Sequence, residues 1–141
     1  MKKTVLVTGA TSGIGEACAH RFAQGGYNVI ITGRRVQLLA ELRKKLEAEG
    51  AKVLALAFDV RNRAAATKAI ESLTVEWQDI DVLINNAGLA LGLEPAYEGH
   101  WDDWETMIDT NIKGLLTMTR LVTPRMMQRN SGHIINIGSV A

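Results

Sequence analysis

A loop of eight residues, Thr8-Gly9-Ala10-Thr11-Ser12-Gly13-Ile14-Gly15, stands between a short β-rich run and a helical pattern. Its glycines suit one kind of chemistry. Gly9 allows a tight turn, Gly13 lets a diphosphate approach the backbone, and Gly15 lets a helix pack on a strand, with Thr11, Ser12 and Ile14 as further contacts in the same loop. A diphosphate held there sits at a helix N-terminus, where unpaired N–H groups and the helix dipole favour anions. A lone glycine triplet is equally the mark of a structural turn; it is the position between strand and helix that favours binding. No Gly-Lys-Ser/Thr follows, which excludes a Walker-type phosphate loop.

The end of the second β-rich run reads Thr32-Gly33-Arg34-Arg35. An NAD site usually places an acid about 20 residues past the glycines to hold the ribose hydroxyls. No acid stands here. Arg34 and Arg35 instead offer the charge-assisted, bidentate donors that clamp a 2′-phosphate. Two cations at a helix start oppose the helix dipole, a locally unfavourable choice that points to a purpose elsewhere. The pair indicates NADP rather than NAD as cofactor, with a solvated basic helix start as the bland alternative.

Such a site needs strands that end together. Strands are expected at 4–8, 28–32, 52–58, 81–85 and 133–137, separated by helices at 13–24, 36–49 and 63–76. A long helix follows, capped by Asp102 with Glu105 three residues on, and running to about residue 128 with Pro124 bending or interrupting it. Gly25-Gly26 and Gly50 supply helix stops, and Leu38, Leu39, Leu42 and Leu46 form an apolar stripe. Continuously apolar strands alternating with helices predict an α/β fold. It is a doubly wound, Rossmann-like parallel sheet in three α/β/α layers, a single domain over residues 1–141 that lacks its C-terminal strands and helices.

Composition removes other classes. Sixteen Lys and Arg against fifteen Asp and Glu leave a formal charge of +1, too little for a nucleic-acid binder. Hydrophobic residues at 47% suffice for a core. The single Cys18 fits a reducing compartment, and with His20 only two residues on it forms no metal pair, so no metal is expected. The apolar run after Lys2-Lys3 breaks at Thr8-Gly9, before it makes a signal peptide, and the longest apolar stretch, 53–58, is far short of a membrane helix. The expectation is a soluble cytoplasmic protein. His100 and His133 read as structural.

The Gly-x-x-x-Gly-x-Gly spacing resembles the cofactor loop of the short-chain dehydrogenase/reductase family. Asp59-Val60, Asn85-Asn86-Ala87-Gly88 and the 134–139 run ending in Gly138-Ser139 agree in the expected order. Within that family, residues 59–63, 87–92 and 107–111 look like the NADP-dependent 3-hydroxy acid (serine/allo-threonine) dehydrogenases. The resemblance implies that Asp59 and Val60 border the adenine and that Asn86, Ala87 and Gly88 flank the cofactor ribose. It implies hydride transfer between the nicotinamide and the hydroxyl or carbonyl carbon of a small 3-hydroxy acid or related alcohol. Ser139 corresponds to the serine that bonds the substrate oxygen, and Asn111 to the asparagine that helps hold a proton-relay water.

The family's proton exchanger is a tyrosine, its pKa lowered by a nearby lysine in a Tyr-x-x-x-Lys motif. That motif is expected past Ser139, beyond Ala141. Tyr27 precedes the second strand at the wrong edge, and Trp101 rather than lysine stands four residues after Tyr97. The segment alone is therefore expected to bind cofactor without completing the reaction, and to expose apolar surface beside its last strand. A non-catalytic nucleotide-binding regulatory protein of the same fold is the alternative. Relatives assemble as tetramers, which implies a homo-oligomer formed through the outer face of the long helix.

Packing offers a check on Asn111. Trp104, Met107, Ile108, Leu115, Met118, Val122 and Met126 recur at spacings of three and four, and Asn111 falls within that stripe. A buried amide without partners costs roughly 1–3 kcal/mol, so a function or a bond to a neighbouring carbonyl must satisfy it. Ser139 is also a common turn residue after a strand. The Trp101-Asp102-Asp103-Trp104 cluster reads as a helix anchor, and the loop 89–99 as a border of the substrate.

Overall fold

Val5, Leu6 and Val7 have no exposed surface at all, so the first strand must be covered on both faces. In the computed structural model, which describes residues 2–139, it lies at the centre of a parallel sheet. The strands are β1 (Thr4–Val7), β2 (Asn28–Gly33), β3 (Val53–Ala57), β4 (Val82–Asn85) and β5 (His133–Asn136), in the order β3-β2-β1-β4-β5. Every pairing is parallel. Side chains alternate between faces along each strand, and so feed two cores. On one face α1 (Gly13–Gln24) and α2 (Val36–Ala48) lay Ala19, Leu39, Leu42 and Leu46 on Val5, Val7, Val29 and Ile31. On the other, α3 (Arg63–Glu71) and α5 (Leu115–Arg129) lay Ala66, Met118, Val122 and Met126 on Leu6, Ile30 and Leu83. This is the three-layer, doubly wound sheet that the alternation of elements predicts.

From β1 the chain builds outward through β2 to β3, then returns to place β4 on the free side of β1. The loops leaving β1 and β4 diverge there, and such a divergence opens a crevice beyond the carboxyl ends of the strands. The glycine loop after Val7 and the Asn86-Ala87-Gly88 loop after Asn85 both rise at that point.

Several boundaries differ from expectation. The third helix stops at Glu71 rather than near 76, because the Ser72 hydroxyl donates to Ala69 O at 2.8 Å and a new turn forms at Thr74. That turn tucks Trp77 into the core at 6% exposure. Asp102 is not the cap of the fourth helix. In α4 (Trp101–Ile108) the cap position is His100, without a side-chain bond, and Asp102 and Asp103 occupy the first turn, where their charge suits the dipole. Nor is the long helix interrupted at Pro124, which lies inside α5. The break is a π-helical segment, Asp109–Gly114, pressed onto the end of β3: a Cβ on Gly114 would stand 2.7 Å from Val60 Cγ2. Among the described residues no helix is long and apolar enough to cross a membrane, and no group of three or more His, Cys, Asp or Glu could hold a metal ion.

Candidate functional site

The glycine loop is closed from behind and open in front. Gly9 has φ +59° and Gly13 φ +57°, a region glycine enters without strain. A Cβ on Gly9 would lie 2.9 Å from Ala87 Cα, and one on Gly15 would collide with Gly9 O and Asn86 Nδ2. These two glycines let β1, α1 and the β4 loop close on one another. A Cβ on Gly13 would meet nothing within 4 Å, so this backbone faces open space. Ser12 caps α1 in extended conformation without a side-chain bond, so its hydroxyl does not occupy the first amides of the helix, which have no partner within the helix itself.

Thr8 and Asn86 tie the two loops together. The Thr8 hydroxyl accepts from the Asn86 and Ala87 N–H groups at 3.0 Å each and donates to Ile84 O at 3.4 Å. Asn86 Nδ2 returns the contact, donating to Thr8 O at 3.2 Å and Gly9 O at 3.0 Å. The crevice floor is thus hydrogen-bonded before any ligand arrives.

The resulting cleft has a volume of about 400 Å³. Gly9, Thr11, Ser12, Ile14, Arg34, Arg35, Asp59, Val60, Asn86, Ala87 and Gly88 all line it. Of the residues expected there, only Gly13 and Gly15 stand outside the lining, the first exposed at the edge and the second buried behind the turn. The structure adds Thr32, Gly33, Phe58, Arg61, Leu89 and Thr110.

Charge is distributed unevenly around the cleft. Arg34 and Arg35 are exposed at the start of α2, whose first turn contains no acid. The wall after β3 is different: Arg61 grips Asp59, with Nη2 2.7 Å and Nε 3.0 Å from Oδ2, and the Arg61 N–H donates to Oδ1 at 2.9 Å. Burial alone would raise the Asp59 carboxyl. The hydrogen bonds from Arg61, with the charges of Arg61 and then Arg34, outweigh it and hold the group below its ordinary value. Asp59 is therefore an anion near neutral pH, and Arg61 is neutralised by it. Arg34 and Arg35 are left to meet an incoming anion.

The residues assigned to the reacting end, Asn111 and Ser139, are not among those that line the cleft. Asn111 is not buried within the apolar stripe: it is exposed on the π segment, and only Met118, Val122 and Met126 of the stripe are fully buried. The π turn rotates residue 111 out of the α5 register. Its amide pairs in both senses with one residue, Oδ1 accepting from Leu89 N–H at 2.9 Å and Nδ2 donating to Leu89 O at 2.8 Å. Ser139 is exposed beyond the end of β5. Tyr27 stacks edge-on against Phe22 with centroids 4.8 Å apart, and Tyr97 lies in a 3-10 turn, Ala96–Glu98, at 85% exposure. Neither tyrosine lines the cleft.

A sequence model of the short chain dehydrogenases matches residues 3–141. The chain belongs to the short chain dehydrogenase family. It is 60% identical over 137 residues to the NADP-dependent 3-hydroxy acid dehydrogenase YdfG of Salmonella typhi, a match that covers 97% of this chain and 54% of that protein. It is 47% identical over 141 residues to the serine 3-dehydrogenase of Rhizobium radiobacter, covering all of this chain and 55% of the other. Among solved structures, the closed form of serine dehydrogenase complexed with NADP+ superposes with a TM-score of 0.90 at 57% identity, covering 97% of this chain and 54% of that one. The chain spans about half the length of the curated relatives it matches.

Family membership accounts for the motifs but not for every lining residue. Thr8 stood in the glycine motif, and its role as a latch follows only once β1 and β4 are known to be neighbours. Arg61 could have been suspected from its place two residues after Asp59. Thr110 carried no signal, because its position depends on the π turn.

Proposed function

We propose that the protein carrying this segment is an NADP-dependent oxidoreductase acting on the hydroxyl or carbonyl carbon of a small 3-hydroxy acid or related alcohol. The observation that carries this reading is the arginine pair on the cleft rim, with no acid in the first turn of α2. NADP presents a diphosphate, a 2′-phosphate and a purine. The cleft offers the amides at the start of α1, the Arg34 and Arg35 guanidinium groups, and an apolar floor of Phe58 and Val60 beside Asp59. An acid in place of either arginine would repel the 2′-phosphate. The names of the Salmonella and Rhizobium relatives and the NADP+ complex support both cofactor and substrate class.

The nicotinamide, when bound, supplies or accepts hydride. Asn86, Ala87 and Gly88 would flank the cofactor ribose, and Ser139 would bond the substrate oxygen. Asn111 holds the relay water from a side chain that Leu89 orients. Each of its polar atoms keeps one hydrogen-bonding position beyond those given to Leu89. The proton exchanger is supplied by a Tyr-x-x-x-Lys pair outside residues 1–141. The protein is cytoplasmic and a homotetramer, with Ile108, Ile112 and Leu116, exposed at 47%, 54% and 58%, forming part of the subunit contact.

The test is coenzyme oxidation by the natural polypeptide carrying this sequence, across a panel of small carbonyl acids with NADPH and with NADH. Consumption of NADPH in preference to NADH on a 3-oxo acid is expected. Tight NADP binding without turnover on any member would favour the non-catalytic nucleotide binder instead, and binding of neither coenzyme would overturn both.

A further inference from the structure

Asp103, Met107 and Asn111 stand four residues apart, on one face of α4 and of the π segment that continues it. The loop leaving β4 lies along that face. A Cβ on Gly88 would stand 3.2 Å from Asn111 Oδ1, the Leu89 backbone bonds the same amide in both senses, and the Leu91 N–H donates to Met107 Sδ at 3.4 Å. At the far end a Cβ on Gly92 would stand 3.6 Å from Asp103 Oδ2, and there the chain turns with φ +76°. Residues 88–92 thus form a strap that runs antiparallel to the helix and is tied to it by two side chains.

Met107 is the less obvious of the two ties. It belongs to the apolar stripe of the long helix, yet it is half-buried, whereas Met118 and Met126 of the same stripe pack into the core. Leucine fills a methionine site at little cost, so apolar packing alone would be served equally by leucine. The sulfur adds what leucine lacks, a weak acceptor, and the strap uses it. The strap begins in the cleft, where Gly88 and Leu89 line it. A nicotinamide ribose flanked by Asn86, Ala87 and Gly88 sets the reacting carbon beside the residues that follow, which makes the strap a wall of the space left for substrate.

We propose that Met107 is a positioning residue for substrate: its thioether holds Leu91, and with it the 88–92 strap, where the strap shapes the space for a small 3-hydroxy or 3-oxo acid. This assignment rests on the oxidoreductase reading above and deepens it by naming a residue that sets substrate affinity through the loop it holds.

The experiment is steady-state kinetics of the natural polypeptide and its Met107→Leu and Met107→Gln variants, with NADPH and the fastest substrate of the panel of small carbonyl acids. Fluorescence titration of NADPH is measured alongside. Met107→Leu should raise KM for the acid about two- to tenfold, the loss expected of one hydrogen bond, and leave kcat and NADPH affinity within about twofold of wild type. Those two hold because Asn111 keeps its bonds to Leu89. Met107→Gln, whose side-chain carbonyl is an acceptor of similar reach, should return KM to near wild type. An unchanged KM in Met107→Leu, or a KM in Met107→Gln no better than in Met107→Leu, overturns the assignment and leaves the oxidoreductase reading standing. Parallel loss of kcat and NADPH affinity in Met107→Leu overturns it too, by showing that the helix itself is disturbed. Absence of turnover by the wild-type protein on every member of the panel overturns the oxidoreductase reading, and the assignment with it.

Discussion

Arg34 and Arg35 were legible as candidate anion contacts, and both line the cleft, because what marks them is local: charge, adjacency, and position after a strand. Asp59 was legible only in part. Its type and place were evident, but its pairing with Arg61 depends on a side-chain conformation that no spacing encodes. Removing the Arg34 guanidinium should weaken NADP+ by about 10- to 100-fold, as expected for a charge-assisted contact, and NAD+ much less. Fluorescence titration of both coenzymes checks this, and equal losses would remove the phosphate clamp. The Asp59–Arg61 pair has its own signature in acid. A carboxyl whose folded pKa lies below the unfolded 3.8 stabilises the fold fully above that value, and loses the contribution as pH falls through the folded one. The difference in melting temperature between wild type and Asp59→Asn should therefore stay constant from about pH 7 to about pH 5 and shrink only in stronger acid. A difference that shrinks near neutrality would contradict the assignment.

At the scale of elements, patterns of apolar residues located the strands and four of the helical stretches, because two-sided burial leaves little choice of residue type. Ends and irregularities escaped. The stop after Glu71 comes from a serine hydroxyl and from the burial of Trp77, a tertiary contact. The π segment escaped because residues 101–129 carry a helical pattern throughout, and only packing of Gly114 on Val60 shows where the register breaks. The Thr8 latch is likewise invisible until β1 and β4 are placed side by side. Thr8→Val keeps the shape but removes three hydrogen bonds and strands the Asn86 and Ala87 amides. It should destabilise the protein by about 1–3 kcal/mol, measured by chemical denaturation, and weaken coenzyme binding in parallel. Unchanged stability would mean that other contacts hold the β4 loop. Arg129 forms a comparable clamp at the opposite edge of the sheet, bonding Asp81 Oδ1 at 2.6 Å while Asp81 Oδ2 accepts from Thr4 N–H at 2.8 Å.

Across the whole molecule, alternating apolar strands and amphipathic helices were enough to derive a doubly wound sheet, and the sheet order then sets where a ligand can lie. The lateral order β3-β2-β1-β4-β5 was not readable from composition; it follows from the handedness of parallel crossovers and from which strands are most enclosed. β5 is the least enclosed strand, with His133 and Asn136 exposed and Ile134 and Ile135 half-buried. Residues 1–141 produced alone should therefore self-associate or seek a partner, and sedimentation velocity checks it. A monodisperse monomer with a cooperative melt would show that β5 needs no further cover.

All of these expectations depend on where the coenzyme's charges rest. The most direct measurement is a crystal structure of the natural polypeptide grown with NADP+. The account predicts the diphosphate against the amides that open α1, and the 2′-phosphate within hydrogen-bonding distance of Arg34 or Arg35. A coenzyme bound elsewhere, or one whose 2′-phosphate turns to solvent with both arginines unengaged, would contradict it.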